Sequence, residues 1–468
     1  MKLQSIFTNS FGILFSRITG FIRDLLMASI LGASIYSDMF FVAFKLPNLF
    51  RRIFAEGAFT QAFMPSFVAS RHKGVFANAI FLRFLLFITL GTLVVNLFPE
   101  VATKMLAFGW SADIISKAAP LTAINFWYLE LIFIVTFLAT LLQYKEHFAT
   151  TALATALLNI SMIVALLMTM HKEPKSVAYA ISFAVIVGGL LQVVVHIIAI
   201  CKKDLHRVLL GGWKYRKSRD VTSKERAFTK LFIPAIWGNS TAQINSFIDT
   251  LLASFLLSGS ISYLFYANRV FQLPLAIFAI ATATALFPSV SKAIKNKESQ
   301  KAYENLNRAF WFLTYALGLA MVGGIMLAEP IVWLLFERGN FTLESTHATT
   351  GVLMMYMVGL FPFGLAKLFS LFLYASHRQK TAAKIATYSL VVNITASLLL
   401  MDPLGAKGLA LAGSLGGWVL FIFTVKEVGS DRFFMMIKSL NTLYFLLVMS
   451  GFALFLHWLN TLLLSYIR

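Results

Sequence analysis

The chain has 468 residues, of which 59% are hydrophobic and 13% charged, with 46 phenylalanines. That much apolar surface exceeds what a soluble core encloses, so a soluble globular protein is excluded and a bilayer is the expected solvent. A net charge of +20 would suggest nucleic acid on a soluble chain; here the basic residues collect in the breaks between apolar runs, which excludes that partner.

Apolar runs of about 20 residues predict transmembrane helices at 5–31, 35–70, 77–98, 120–143, 147–170, 176–201, 226–257, 261–291, 302–328, 346–374, 380–400, 405–427 and 436–465. That is thirteen spans. The alternating ten-residue strands of a membrane β-barrel are absent. With the N-terminus in the cytoplasm, the cytoplasmic segments carry far more Lys and Arg than the opposite side, as the positive-inside rule requires.

The first span holds Ser16, Arg17, Arg23 and Asp24. Arg17 and Asp24 are seven apart, two turns along one face. The second span holds Asp38, Lys45, Pro47, Asn48, Arg51, Arg52, Glu56 and Gly57. Asn48, Arg52 and Glu56 step by four and allow an i,i+4 ion pair. Pro47 and Gly57 predict a hinge between them. A straight helix over 35–70 would be roughly 54 Å long, so a bend or tilt is required.

Each central charge costs roughly 2.5–3.5 kcal/mol on insertion scales, so these groups face a bundle interior or water. These two spans carry five cations against three acids, and Arg269 adds another in the second half. Mutual neutralisation accounts for part of the set. Arginine stays charged when desolvated and offers a planar fork to phosphate oxygens. Arg17, Arg23, Arg51, Arg52 and Arg269 are therefore candidate ligands for a phosphate or pyrophosphate headgroup, with Ser16, Asp24, Asp38, Lys45, Asn48 and Glu56 as supporting polar groups. Arg83 and Lys367, near cytoplasmic span ends, are expected to snorkel. Glu130 is expected to hydrogen bond between helices.

The loop 202–230 holds ten basic residues, among them Lys202, Lys203, Arg216, Lys217 and Arg219, and reads as a topology-setting cytoplasmic loop near anionic lipid. Beyond it the first pair of spans is echoed. Residues 21–34, F-I-R-D-L-L-M-A-S-I-L-G-A-S, match 247–260, F-I-D-T-L-L-A-S-F-L-L-S-G-S; F-K-L-P ending at Pro47 matches F-Q-L-P ending at Pro274; A-F-M-P-S at 62–66 matches A-L-F-P-S at 285–289. Both copies begin from the cytoplasm, a parallel repeat. The expected fold is an all-α polytopic membrane protein: two six-helix lobes around a central cavity, plus one or two extra C-terminal helices, as in alternating-access transporters. The lobes are 1–201 and 226–427, joined by 202–225 and followed by 428–468. From Pro47 to Pro65 the first copy has about one turn more than the second has from Pro274 to Pro288, and its charges fall there.

Asp249 aligns with Arg23, so the charge is reversed between lobes. With Ser389 and Asn393 it forms a candidate cation site, against the alternative of a local counter-ion. The single cysteine, Cys201, excludes a disulfide framework. No Walker loop, H-E-x-x-H or G-x-S-x-G motif occurs, so neither an ATP site nor a hydrolytic centre is expected, no cofactor is implied, and the chain reads as a transporter rather than an enzyme.

F-S-R-I-T-G-F-I-R-D (15–24), the stretch S-D-M-F-F-V-A-F-K-L-P-N-L-F-R-R-I-F-A-E-G-A-F-T-Q-A-F-M-P (37–65) and Y-A-N-R-V-F-Q-L-P (266–274) closely resemble the MurJ (MviN) family, lipid II flippases of the multidrug/oligosaccharidyl-lipid/polysaccharide exporter superfamily. The resemblance in span layout covers nearly the whole chain. It implies translocation of undecaprenyl-pyrophosphate-linked MurNAc-pentapeptide-GlcNAc across the bacterial cytoplasmic (inner) membrane for peptidoglycan assembly. It also implies that Arg17, Arg23, Arg51, Arg52 and Arg269 bind the headgroup, and that Ser16, Asp38 and Glu56 match further required positions. At the place of Asp249 some relatives resemble sodium binders, so sodium, protons or the membrane potential would supply the energy. Partners are lipid II and membrane lipids, the protein a monomer near other peptidoglycan-synthesis proteins. The family pattern has fourteen spans; after Arg432 only one long apolar segment appears, either a single helix or two merged. Alternatives are a flippase for another polyprenyl-pyrophosphate oligosaccharide and a cation-coupled multidrug exporter, whose cavity would be acid-rich. A membrane glycosyltransferase would need paired acids on outer loops, which are absent.

Overall fold

The computed structural model describes residues 3–50, 58–215, 221–296 and 298–467. Arg51, Arg52, Glu56 and Gly57, and with them the hinge expected beyond Pro47, lie outside the described residues. The described chain is helical throughout and separates into two compact units, Met1–Leu251 and Leu252–Arg468.

The first unit contains α1 (Leu3–Leu31), α2 (Ile35–Phe50), α3 (Phe59–Val68), α4 (Lys73–Leu97), α5 (Pro99–Leu106), α6 (Ala112–Phe126), α7 (Tyr128–Tyr144), α8 (Ala149–Thr169), α9 (Pro174–Lys202), α10 (Leu205–Lys214) and α11 (Thr222–Ala253) up to Leu251. Gly32 stops α1 by taking a left-handed φ of 63°, a conformation without penalty only for glycine. Ser34 and Ser37 then start α2 by reciprocal capping: each backbone N–H reaches the other's hydroxyl, at 2.8 and 3.4 Å. Pro47 lies inside α2, one turn before its end.

The abundant phenylalanines have a packing role. Phe59 and Phe63 of α3 are fully buried and meet Phe133 and Phe137 of α7 edge to face, ring centres 5.8 Å apart in both pairs. Phe228 of α11 packs on Phe59 and Phe84, and Phe232 on Phe84; such pairs add about 0.5–1.5 kcal/mol each beyond area burial. The sequence repeat starts its second copy at 226, whereas packing divides the chain at Leu251/Leu252, because this aromatic cluster holds the start of α11 to the first unit.

The second unit contains α12 (Ser260–Pro274), a π-helical turn (Leu275–Ile280) that runs on into α13 (Ala281–Lys295), then α14 (Ser299–Met326), α15 (Ala328–Phe336), α16 (Leu343–Ala375), α17 (Gln379–Leu404), α18 (Ala406–Ile437) and α19 (Leu440–Ile467). Pro274, the counterpart of Pro47, sits immediately before the π-turn; its missing N–H is what loosens the helical ladder there. α18 kinks at Gly429, φ 131°. The C-terminal segment is one uninterrupted helix of 28 residues, so the alternative of two merged spans is removed.

Ten described helices are long and apolar enough to cross a membrane. α1, α2 with α3, and α11 cover the three expected spans outside those ten, and α2 and α3 are each too short alone to span. Short α5 and α15 follow α4 and α14 at the corresponding place in each unit, and neither was expected from the sequence. The basic loop was expected to be irregular; part of it is α10, which packs on α4. Gly74 and Gly212 make that approach possible, since a Cβ on either would collide with the other helix. Asn78 Nδ2 donates to the Leu209 carbonyl across the same contact, at 2.8 Å.

Candidate functional site

α1 lies along α8, and small residues set the distance. A Cβ on Gly12 would stand 2.8 Å from the Ala152 Cβ, and one on Gly20 would stand 3.2 Å from Asn159 Nδ2. Between these helices Arg23 is enclosed, 9% exposed, beside Asp24 at 2%. Arg23 Nε and Nη2 donate to Asp24 Oδ1 at 3.0 and 2.6 Å, and Nη1 donates to Asn159 Oδ1 at 2.9 Å. Asn159 in turn donates to the Ser16 carbonyl at 3.0 Å and to Thr19 Oγ1 at 3.3 Å. Of the expected Arg17–Asp24 relation, the structure gives Asp24 a neighbouring donor instead, Arg23. Arg17 itself is exposed and Ser16 half-buried.

On α2, Asp38 is buried at 2%, while Lys45 and Asn48 are half-buried. Lys45 Nζ donates to Ser246 Oγ of α11 at 2.8 Å, within the first unit. In the second unit Arg269 is half-buried on α12, its Cζ 4.7 Å from the centre of the Phe265 ring. Stacking engages the flat face of a guanidinium and holds its donor fork in a fixed plane. The arginines called together by sequence thus divide. Arg23 is sequestered by the protein's own acid and amide, whereas Arg17 is exposed and Arg269 half-buried.

The three residues of the candidate cation site belong to different units, Asp249 to the first and Ser389 and Asn393 to the second. Asp249 is half-buried. On α17, Ser389 Oγ donates to the Gly416 carbonyl at 2.7 Å, and Asn393, 2% exposed, accepts from Ser397 at 3.4 Å. Among the described residues no group of three or more His, Cys, Asp or Glu is arranged to hold a metal ion.

Two polar networks escaped the sequence reading. Arg83, expected to snorkel, pairs with Glu225 at 2.7 Å, and Glu225 is buried at 6%; the acid sits at the start of α11, so the pair ties α4 to α11. His196 is fully buried on α9, with Nδ1 2.7 Å from the Gln192 carbonyl and Nε2 3.4 Å from Thr151 Oγ1. Gln192 donates to the Ala154 carbonyl and accepts from Tyr128, joining α7, α8 and α9. The i,i+4 spacing of Gln192 and His196 was the available signal.

The arrangement defines a class first. Solved transporters of the MOP superfamily share this fold: an inward-facing multidrug resistance MATE family transporter aligns with TM-score 0.71 at 13% identity, over 93% of this chain and 99% of that one. The lipid II flippase MurJ in an inward closed conformation aligns with TM-score 0.78 at 25% identity, over 98% of this chain and 99% of that one. A family model for the lipid II flippase MurJ matches residues 27–467. Probable lipid II flippases MurJ from Helicobacter pylori strain 26695 and Haemophilus influenzae are 49% and 33% identical, covering 89% and 86% of this chain and 93% and 81% of theirs. The chain belongs to the MurJ lipid II flippase family.

Proposed function

We propose that the protein is a lipid II flippase, moving the undecaprenyl-pyrophosphate-linked peptidoglycan precursor from the inner to the outer leaflet by alternating access. The observation that carries this reading is the family match over 27–467, which includes the arginine-bearing α12 and the whole of the cation-rich second span. Its N-terminus lies in the cytoplasm, on the side of the basic loop, and the membrane is the bacterial cytoplasmic membrane. The precursor is held through its pyrophosphate by Arg17, Arg269 and the pair Arg51 and Arg52. Arg23 supports them by fixing α1 on α8. An ion gradient or the membrane potential drives the cycle, and no chemical bond is made or broken.

Depletion of the protein in cells without a substitute flippase, followed by a leaflet-resolved assay of lipid II, tests the reading. Lipid II is expected to accumulate in the inner leaflet; normal arrival outside would overturn it. Arg269→Ala and Arg51→Ala, expressed at normal level, are expected to fail to complement. Full complementation by both would remove the headgroup role.

A further inference from the structure

The first unit carries a second cationic recess, away from the arginines of α1. Tyr36 at the start of α2, Lys117 and Leu121 on α6, and Lys175, Ala178 and Tyr179 at the start of α9 line a small recess. Leu121 and Ala178 are buried and close its base with apolar surface. The two tyrosines are half-buried and Lys175 is exposed. Lys117 Nζ meets Asp113 Oδ2 at 2.6 Å, with both side chains more than half exposed. A pair so exposed is worth little and yields to a better anion. Lys175 and Tyr179 make no hydrogen bond or ion pair among the described residues. Pro174 occupies the first position of α9, so the positive end of a 29-residue helix opens beside Lys175.

Two lysines, two tyrosines and a helix N-terminus border this small recess. We propose that this recess is a second anion site of the protein, taking a phosphate-bearing group. Charge-assisted donors converge there on up to three phosphate oxygens, and Asp113 acts as the competing anion that occupies Lys117 when the recess is empty. The phosphate comes from a phospholipid headgroup or from a soluble phosphate compound. Placement of the recess on the outer face rests on the proposed orientation; binding does not.

The full-length protein in phosphatidylcholine nanodiscs is labelled with a water-soluble amine-reactive ester, and modification is read by mass spectrometry at Lys117, Lys175 and the exposed Lys104 and Lys172. Inorganic pyrophosphate at ten times its dissociation constant is expected to lower labelling of Lys117 and Lys175 by about tenfold, leaving Lys104 and Lys172 unchanged. Protection by pyrophosphate in neutral lipid identifies a soluble source. Protection only when phosphatidylglycerol replaces part of the phosphatidylcholine identifies a headgroup. Tyr36→Phe and Tyr179→Phe, which remove only a hydroxyl, are expected to weaken protection, and Asp113→Asn to strengthen it. Unchanged labelling under both conditions, or equal protection of all four lysines, would overturn the site. The footprint involves no translocation, so it stands or falls separately from the flippase reading.

Discussion

The turns between α7 and α8 and between α16 and α17 occupy corresponding places in the two units. In the first, His147 N–H reaches the Leu142 carbonyl and Glu146 N–H the Gln143 carbonyl, both at 2.9 Å; in the second, Arg378 N–H reaches Leu373 and His377 N–H reaches Tyr374, at 2.8 and 3.1 Å. Glu146 and His377 both sit in the left-handed region, φ 55° and 56°. These two backbone bonds are thus repeated, while the side chains that anchor the turn have diverged. His147 Nε2 lies 2.8 Å from Thr150 Oγ1, whereas Arg378 bonds both the carbonyl and the carboxylate of Glu427 on α18.

The same division runs through the helix seams. α1 is fastened to α8 through Asn159, which bonds Arg23, itself paired with its neighbour Asp24 on α1. Ser389 of α17 donates to the Gly416 carbonyl of α18, a seam that also carries the Arg378–Glu427 pair at its end, and α16–α18 is fastened by a neutral donor, Ser414 Oγ on the Met355 carbonyl at 2.6 Å. At α16–α18 close packing is reached with a neutral donor, Gly359 lying against Ser414. The largest expected effect follows. Arg23→Ala leaves Asp24 buried beside an emptied site, and loss of one partner of a buried pair costs about 3–5 kcal/mol. Thermal melting of the purified protein should show a marked loss, and an unchanged melt would mean that the pair is not structural.

Ser414→Ala tests the neutral side of the comparison. Loss of a hydrogen bond of this kind costs about 1 kcal/mol, and its melting shift should be clearly smaller than that of Arg23→Ala. Equal shifts would erase the distinction between the seams. Arg269→Ala sharpens it further, because the contact of its half-buried guanidinium with the Phe265 ring contributes about 0.5–1 kcal/mol. Its melt should be near wild type while transport is lost, the reverse of a structural arginine. A melting loss as large as that of Arg23→Ala would place Arg269 among the anchors.

Much of this was legible in the sequence and some was not, for physical reasons. Apolar runs of membrane length located the spans, because in a bilayer only closed backbone hydrogen bonding is tolerated. Pro274, read from the sequence only as the counterpart of Pro47, precedes an irregular turn that was not expected. Arg23 looked the same as Arg269 from composition, because what separates them is Asn159, 136 positions away. Arg83 read as a snorkelling residue for the same reason, its acid Glu225 being 142 positions distant. α10 stayed hidden because a ten-residue basic-apolar stretch carries too weak a pattern to separate from a loop, and its glycine contact with α4 becomes visible only in three dimensions.

The two turns also differ in what pH does to them. Burial, with the positive charge of Lys203 adding to it, pushes the His147 pKa below its ordinary value of 6.5. The folded protein then binds fewer protons than the unfolded chain as pH falls through that value, so the contribution is fully present above it and is lost on acidification. The Arg378–Glu427 anchor of the second unit holds a cation that does not titrate in this range. Melting temperature should therefore fall between about pH 7.5 and 5.5, and His147→Gln should flatten that slope, whereas Arg378→Gln should lower the melt while leaving the slope in place. Lys203→Gln should flatten it partly, by removing the charge that disfavours the imidazolium. A slope that survives His147→Gln unchanged would assign the pH response to another group, and with it would go the reading that the repeated turn has been given different chemistry in the two units.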